Sequence, residues 1–284
     1  MSERIVGIVD EPEKSKNNDT LGIGRHATAL TEYVRYCPTP MTIGIQGEWG
    51  SGKTSLLEQI KESLEAEDGK YLQIWVNAWE QSLLSTPEET LIKIIREVID
   101  KMTKGVSDKA KVEAIKQHAS SLFKGAVRIG ATMAAGNKAG QVVEEYFNQD
   151  SNIIKSLRKQ LTDVAQDIRL RNTNPHEKII IYVDDLDRVE PKDAVSVLEL
   201  LKNIFNIPNC VFILAIDYQV VIKGLEHKFG KRTESNEWEF RAFFDKIIQL
   251  PFMMPMGQYS IGEYVSNLLG KIGFLCGVRP IRFI

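Results

Sequence analysis

One glycine-rich segment restricts the fold of this chain more than any other feature of its sequence. Residues 47–54 read GEWGSGKT, which matches the pattern GxxxxGK[ST] in full. The segment follows a short apolar run at 41–46 (MTIGIQ), which predicts a buried strand, and it precedes a helical pattern at 52–65. A strand, a glycine loop and a helix in this order can bind phosphate, because the loop directs backbone N–H groups inward and the helix adds its positive end.

The residues of this loop are the first candidates for a binding site. We expect Lys53 to place its cation at the β- and γ-phosphates of a nucleotide, and Thr54 to offer its hydroxyl to Mg²⁺. Trp49 is expected to pack under the nucleotide or against the following helix, and simple packing is favoured since tryptophan side chains are mostly buried. The predicted nucleotide contacts are Gly47, Glu48, Trp49, Gly50, Ser51, Gly52, Lys53, Thr54 and Ser55.

A second candidate group is acidic and follows the most apolar strand pattern, 178–184 (KIIIYVD). Asp184 is the predicted ligand of Mg²⁺, because ligands bind at the carboxyl ends of strands in open α/β sheets. Asp185 is the predicted general base for water, with helix capping or pairing with Arg188 as the alternative. Asp187 is interpreted as structural.

Two further polar residues lie at predicted strand ends. Asp217 ends the run 210–216 (CVFILAI). It either contacts the γ-phosphate or the attacking water, which makes it a catalytic candidate, or it caps the helix predicted at 219–229. Asn77 ends the strand predicted at 71–77 and is a candidate for orienting a carboxylate or the water.

The apolar pattern as a whole predicts an α/β fold. Strands are predicted at 41–46, 71–77, 178–184, 210–216 and 247–250. Helices are predicted at 21–37, 52–65, 87–102, 152–169, 191–205, 219–229 and 237–244. Short apolar strands separated by helices favour a parallel sheet covered on both faces.

Composition excludes several classes of protein. The 284 residues are 43% apolar and 26% charged, with a net charge of −2, so neither a disordered chain nor a globally basic nucleic-acid binder is indicated. The polar N-terminus is not a signal peptide, and no apolar run approaches the ~18 residues of a membrane span. The three cysteines have no disulfide or zinc spacing. We therefore predict a cytoplasmic protein.

Residues 101–140 differ from the rest of the chain. They carry eight Lys and Arg residues against two acidic ones, followed by small residues spaced four apart. Such a segment can contact an anionic membrane surface or a nucleic acid, or it can pack against a second copy of itself. The alternative is a solvated basic face. Lipid binding would make the protein peripheral at the inner membrane.

The motifs together resemble those of the KAP family of P-loop NTPases. The similar segments are 19–25 (DTLGIGR), 45–55 (IQGEWGSGKTS), 76–80 (VNAWE), 184–188 (DDLDR) and 244–252 (FDKIIQLPF). The chain departs from the family pattern in its insertion, which is interrupted by Lys124, Arg128 and Lys138. It also departs in the C-terminal helical motif, which 277–280 (GVRP) matches only in part.

The resemblance implies an ATP-binding, Mg²⁺-dependent core. The expected fold is a three-layer sandwich whose parallel sheet has the order 5-1-4-3-2, with an additional strand between the phosphate-loop strand and the acidic strand. The NTPase domain is expected over 1–255, with a helical insertion at 101–175 and an incomplete C-terminal helical segment at 256–284. Arg25, in the first similar segment, is expected to contact the nucleotide base or a phosphate, or else to form a surface ion pair.

These observations lead to three functional hypotheses. The first is an ATPase that acts as a nucleotide-dependent switch, in anti-phage defence or signalling, as a homo-oligomer with an effector or partner protein. The second is a nucleotide-binding scaffold with little turnover. The third, phosphoryl transfer to a small acceptor, ranks last, because the duplicated acid at 184–185 favours water and the sequence shows no arginine cluster typical of a lid.

Overall fold

The computed structural model describes residues 12–67, 69–83, 85, 87–104, 106, 109–110, 112–117, 151–170, 176–204 and 206–271. The strands in these ranges are β1 (Met41–Gln46), β2 (Tyr71–Asn77), β3 (Lys178–Asp184), β4 (Cys210–Ile216) and β5 (Leu250–Met253). The α-helices are α1 (Gly24–Tyr36), α2 (Lys53–Glu65), α3 (Ala78–Ser82), α4 (Pro87–Thr103), α5 (Ser151–Arg169), α6 (Pro191–Ile204), α7 (Tyr218–Phe229), α8 (Glu237–Ile247) and α9 (Ile261–Lys271).

The five strands form one parallel sheet in the order β2-β3-β4-β1-β5. Read from the other edge this is 5-1-4-3-2, so the predicted order is confirmed. β4 lies between the phosphate-loop strand β1 and the acidic strand β3. The carboxyl ends of β1, β3 and β4 therefore meet at one edge of the sheet, where the candidate residues follow them.

Separate apolar cores cover the two faces of the sheet, because successive strand residues point to opposite sides. On β3, Ile180 and Tyr182 face the core formed with α1 and α2. Ile179, Ile181 and Val183 face the opposite core, formed with the helices from α4 to α8. The chain is thus a three-layer sandwich, and β3 is apolar throughout because both of its faces are buried.

The last predicted strand was placed three residues too early. Of the interval 247–250 only Leu250 lies in the strand: α8 continues to Ile247, and β5 begins at Leu250. The helix extends because Phe240, Phe243, Phe244 and Ile247 keep helical spacing and are all buried. The strand then pairs with β1 at the edge of the sheet, where Pro251 is tolerated.

Only part of the basic segment 101–140 lies within the described residues. In that part, Lys101 pairs with Glu97 at 2.7 Å, and Lys116 pairs with Asp100 at 3.1 Å. These two lysines are therefore engaged by acidic residues of α4. The small-residue part lies outside the described residues, as does the motif at 277–280. No helix in the described ranges is long and apolar enough to span a membrane.

Candidate nucleotide-binding site

The glycine-rich loop connects β1 to α2 at the carboxyl edge of the sheet. Its backbone needs glycine at Gly50 and Gly52, where φ is 77° and 87°. Gly47 is needed for a different reason, because a Cβ there would lie 2.4 Å from Ser51 Oγ and 2.9 Å from Met254 Cγ. Ser51 Oγ is itself buried and has no hydrogen-bond partner among the described residues. The loop is therefore tightly wound, and it holds an unsatisfied hydroxyl at its centre.

Lys53, the first residue of α2, lies folded over this loop. Its ammonium donates to the carbonyls of Gly47 at 2.9 Å and Glu48 at 3.0 Å. It also donates to Oδ2 of Asp187 at 2.7 Å, and both side chains of this ion pair are largely buried, with exposures of 7% and 6%. The predicted phosphate-binding cation thus has an acidic partner that the sequence interpretation had taken as structural.

The interpretation of Trp49 as a packed side chain is wrong. Trp49 is 79% exposed. Its side chain belongs to neither of the two apolar cores. An exposed indole beside the loop is available to a ligand or a partner.

The three acids at the end of β3 and in the turn after it have three different sets of partners. The Thr54 hydroxyl hydrogen-bonds Asp184, the partners of Asp185 are Asn77 and Arg188, and Asp187 binds Lys53. The backbone separates them: Asp185 has φ 57° and ψ 27°, a left-handed conformation, and a short 3-10 turn follows at Leu186–Arg188. This reversal directs Asp187 back towards the phosphate loop.

Asp184 is the most buried of the three acids, with 3% exposure. Burial raises the pKa of Asp184 from 3.8 to about 6, and the neighbouring carboxylates of Asp185 and Asp187 add to the rise. The hydrogen bonds from the backbone N–H of Asp185 and from the Thr54 hydroxyl act in the opposite direction. A nearby cation would stabilise the ionised form of this buried carboxylate.

A network of side chains surrounds Asp185. Asn77 donates from Nδ2 to Oδ2 of Asp185 at 2.9 Å, and Arg188 donates from Nε to Oδ1 at 2.7 Å. The guanidinium of Arg188 lies over the ring of Trp79 at 5.3 Å, and Oδ1 of Asn77 caps α3. Of the two structural alternatives for Asp185, helix capping and pairing with Arg188, the structure has the pairing, and the Asp185 side chain makes no cap hydrogen bond to the turn that follows it. Both oxygens of Asp185 are engaged, so its orientation is fixed.

Three other predicted site residues lie in ordinary structural contacts. Asp217 caps α7, accepting from the backbone N–H of Gln219 at 2.8 Å. Ser55 accepts through its hydroxyl from the N–H of Glu13 at 3.1 Å. Arg25 is exposed and donates to Oε1 of Gln258 at 2.9 Å. These contacts neither prevent nor indicate binding of a nucleotide by the three residues.

The segment Met254–Ser260, which follows β5, crosses the phosphate loop; we call it the strap. Met254 packs on Gly47 and Gly52, and its N–H donates to the carbonyl of Gln46 at 2.8 Å. Tyr259 donates its hydroxyl to the carbonyl of Ser51 at 2.7 Å. Burial raises the pKa of Tyr259 to about 12, so this hydroxyl remains a donor at all ordinary pH values.

The residues present fit a nucleotide-bound Mg²⁺. Thr54 and Asp184 bring a hydroxyl and a buried carboxylate together at the loop, and oxygen atoms are the ligands that Mg²⁺ prefers. A single carboxylate with a hydroxyl leaves the other positions for phosphate oxygens and water, which is how Mg²⁺ is usually held beside nucleotides.

A comparison with known protein families identifies the family to which this chain belongs. The sequence model of the KAP family P-loop domain matches residues 25–266. The chain belongs to the KAP family of P-loop NTPases. The KAP match covers the loop, the three acids and the strap together, and it confirms the resemblance on which the sequence interpretation relied.

This KAP domain is also similar to a full-length relative. The phage T7 exclusion protein of Escherichia coli (strain K12) is 24% identical over 272 residues. The alignment covers 87% of this chain and 34% of the relative, so the chain spans about a third of that protein's length.

Sequence reasoning missed the contacts made by Asp187 and by Tyr259. The spacing Asp-Asp-Leu-Asp was visible, but a regular helix after Asp185 would have turned Asp187 away from the loop. A left-handed residue cannot be recognised from an aspartate alone. Tyr259 lies 208 residues from Ser51 in the chain and belongs to no recognised motif, so the sequence held no signal for that contact.

Proposed function

We propose that this KAP domain binds ATP with Mg²⁺ and hydrolyses it as a nucleotide-dependent switch. The observation that carries the proposal is the convergence of Lys53, Thr54 and Asp184 at the mouth of the glycine loop. A cation, a hydroxyl and a carboxylate at one phosphate-sized loop are the groups that phosphoryl chemistry needs. The family match supports the same function.

Each residue has a proposed task. Loop N–H groups and Lys53 bind the phosphates, while Thr54 and Asp184 would hold Mg²⁺, which when bound neutralises charge on the phosphate oxygens. Asp185 accepts the proton of the attacking water, and Asn77 and Arg188 hold its carboxylate in place. Hydrolysis is a proposal for this chain, supported by the position of Asp185 beyond Asp184.

A nucleotide-binding scaffold with little turnover is the second candidate. Both oxygens of Asp185 already accept hydrogen bonds, and Lys53 is paired with Asp187. These contacts favour a site that binds nucleotide while its catalytic groups remain engaged elsewhere. Both candidate functions include nucleotide binding, and they differ in whether the bound nucleotide is hydrolysed.

The biological setting is also proposed. The similar protein from Escherichia coli is described as a phage exclusion protein, which supports a role for this KAP domain in anti-phage defence. An effector or partner protein and self-assembly are expected of such a switch. Contact of the basic segment 101–140 with an anionic surface is part of this proposal.

The test combines calorimetry with single-turnover phosphate release. Wild-type protein should bind ATP in the presence of Mg²⁺ and release phosphate, and light scattering on the same samples should report assembly. Lys53→Ala should weaken binding strongly, whereas Lys223→Ala, which removes an exposed lysine from α7, should not. Binding without phosphate release would favour the scaffold. Equal affinity of Lys53→Ala and wild type would contradict the phosphate-loop assignment.

A further inference from the structure

We propose that Asp187 is a positioning residue that holds the phosphate-loop lysine and competes with nucleotide phosphates for it. The inference rests on the proposed nucleotide binding and adds a regulatory contact to that site. Its basis is the ion pair between Lys53 Nζ and Asp187 Oδ2 at 2.7 Å.

The hydrogen-bonding capacity of Lys53 is fully used. An ammonium group has three donors. In this structure they go to the carbonyls of Gly47 and Glu48 and to the carboxylate of Asp187. A phosphate oxygen can therefore bind Lys53 only by replacing one of these acceptors or by sharing its donor.

Asp187 is the acceptor whose replacement has the largest energetic effect. It is the charged one of the three, and charge-assisted hydrogen bonds are about twice as strong as neutral ones. Asp187 is also largely buried near Asp184, and its charge contributes to the raised pKa of Asp184. Loss of the Lys53 cation would therefore increase the repulsion among the acids. Binding of a β- or γ-phosphate at Lys53 therefore includes the cost of disrupting this pair.

The same pair connects the nucleotide to the acidic turn. Asp187 lies in the 3-10 turn Leu186–Arg188, and Arg188 of that turn binds Asp185. When Lys53 is released, Asp187 loses its partner. Arg188, the next residue of the turn, holds the proposed base Asp185. Nucleotide occupancy at Lys53 is thereby communicated to the group that acts on water.

The experiment measures the affinity of Asp187→Asn for ATP, ADP and AMP by calorimetry. Asparagine keeps the shape of aspartate but removes the charge. We expect affinity for ATP and ADP to rise about tenfold, the size of effect for one charged hydrogen bond. Affinity for AMP should not change, because its phosphate does not reach Lys53.

A double-mutant cycle separates competition from direct repulsion of the phosphates. If Asp187 acts through the lysine, Asp187→Asn should have no effect on ATP affinity in a Lys53→Ala background. A gain of similar size in both backgrounds would overturn the proposal, since it would show that the carboxylate repels phosphate directly. Should Asp187→Asn fail to fold, Asp187→Ser in the same series carries the test.

Other outcomes are equally decisive. Unchanged ATP affinity of Asp187→Asn would overturn the inference and leave the proposed function intact, provided that Lys53→Ala still weakens binding. Unchanged affinity together with abolished phosphate release would also overturn it, because Asp187 would then act directly in the reaction. If wild-type protein bound no nucleotide, the proposed function itself would fail.

Discussion

The side chain of Asn77 joins the ends of two neighbouring strands: its Nδ2 donates to Oδ2 of Asp185 at 2.9 Å, while its Oδ1 accepts from the N–H of Glu80 at 3.0 Å. The contact follows from register, since Asn77 pairs with Asp184 across the parallel strands β2 and β3. One amide thus caps α3 and orients the proposed base.

Replacing Asn77 with serine should slow hydrolysis without affecting the cap. Serine is a good N-cap residue but lacks the amide donor to Asp185. We expect single-turnover phosphate release to fall about tenfold, as for loss of one hydrogen bond to a charged group, while MgATP affinity stays within about twofold. Asn77→Ala, which loses both contacts, should in addition lower the melting temperature. A normal rate for Asn77→Ser would show that Asp185 needs no support from β2.

Asp185→Asn should separate binding from chemistry. Loss of a general base costs roughly 10²–10⁴-fold in rate. An interaction made only in the transition state leaves ground-state affinity nearly unchanged, so this variant should accumulate with ATP bound. Calorimetry beside single-turnover phosphate release tests both quantities.

Asp217→Asn is the comparison for Asp185→Asn, and it also decides between the two interpretations of Asp217. Asparagine caps helices as well as aspartate does, so a residue that only caps α7 should tolerate the change. A loss of more than about tenfold in phosphate release would instead assign Asp217 to the γ-phosphate or the water.

Asp184 should make the stability of the Mg²⁺-free protein depend on pH. Its folded pKa of about 6 lies above the ordinary value of 3.8, so the folded state binds the proton more tightly. Its contribution to stability is therefore present at low pH and is lost as pH rises from about 4 through 6. At pH 7.5, Asp184→Asn should be more stable than wild type by on the order of 3 kcal/mol, and at pH 4 this difference should fall to roughly 0.5 kcal/mol.

Chemical denaturation of both proteins across this pH range measures the effect of Asp184. Asp245→Asn, at an exposed position on α8, should show no such pH-dependent difference from wild type. With Mg²⁺ and ATP present, wild-type affinity should fall below pH 6, because protons and the metal compete for the carboxylate. A constant stability difference between pH 4 and 7.5 would show that Asp184 does not titrate in this range.

Tyr259→Phe should loosen the phosphate loop. The change removes the donor to the Ser51 carbonyl and leaves the ring in place. One neutral hydrogen bond is worth about 1 kcal/mol, which predicts about a fivefold loss of ATP affinity and faster amide exchange over residues 47–54. Tyr36→Phe, at a largely exposed ring on α1, is the matched control. Equal exchange in the two variants would show that the strap does not support the loop.

The sequence predicted those parts of the site that depend on short, continuous apolar runs. The bounds of β1 to β4 and their order are confirmed, because each strand is a short apolar run ended by glycine or polar residues. β5 was misplaced because apolar residues lie on both sides of Gln249, so that the end of α8 at Ile247 and the start of β5 at Leu250 look like one apolar segment. Side-chain partners were harder to predict: the pairing of Lys53 with Asp187 depends on one left-handed residue, Asp185.

The strap connects the last strand of the sheet to α9 and contacts the phosphate loop between them. α9 begins at Ile261, two residues after Tyr259, whose hydroxyl is bonded to Ser51. The N–H of Ser260, between them, is tied to the carbonyl of Leu21. A displacement of α9 would therefore reach Leu21 and the phosphate loop, through Ser260 and Tyr259, before it reached β5. Conversely, a phosphate loop that changed shape on binding a ligand would displace α9 through the same hydrogen bond from Tyr259 to Ser51.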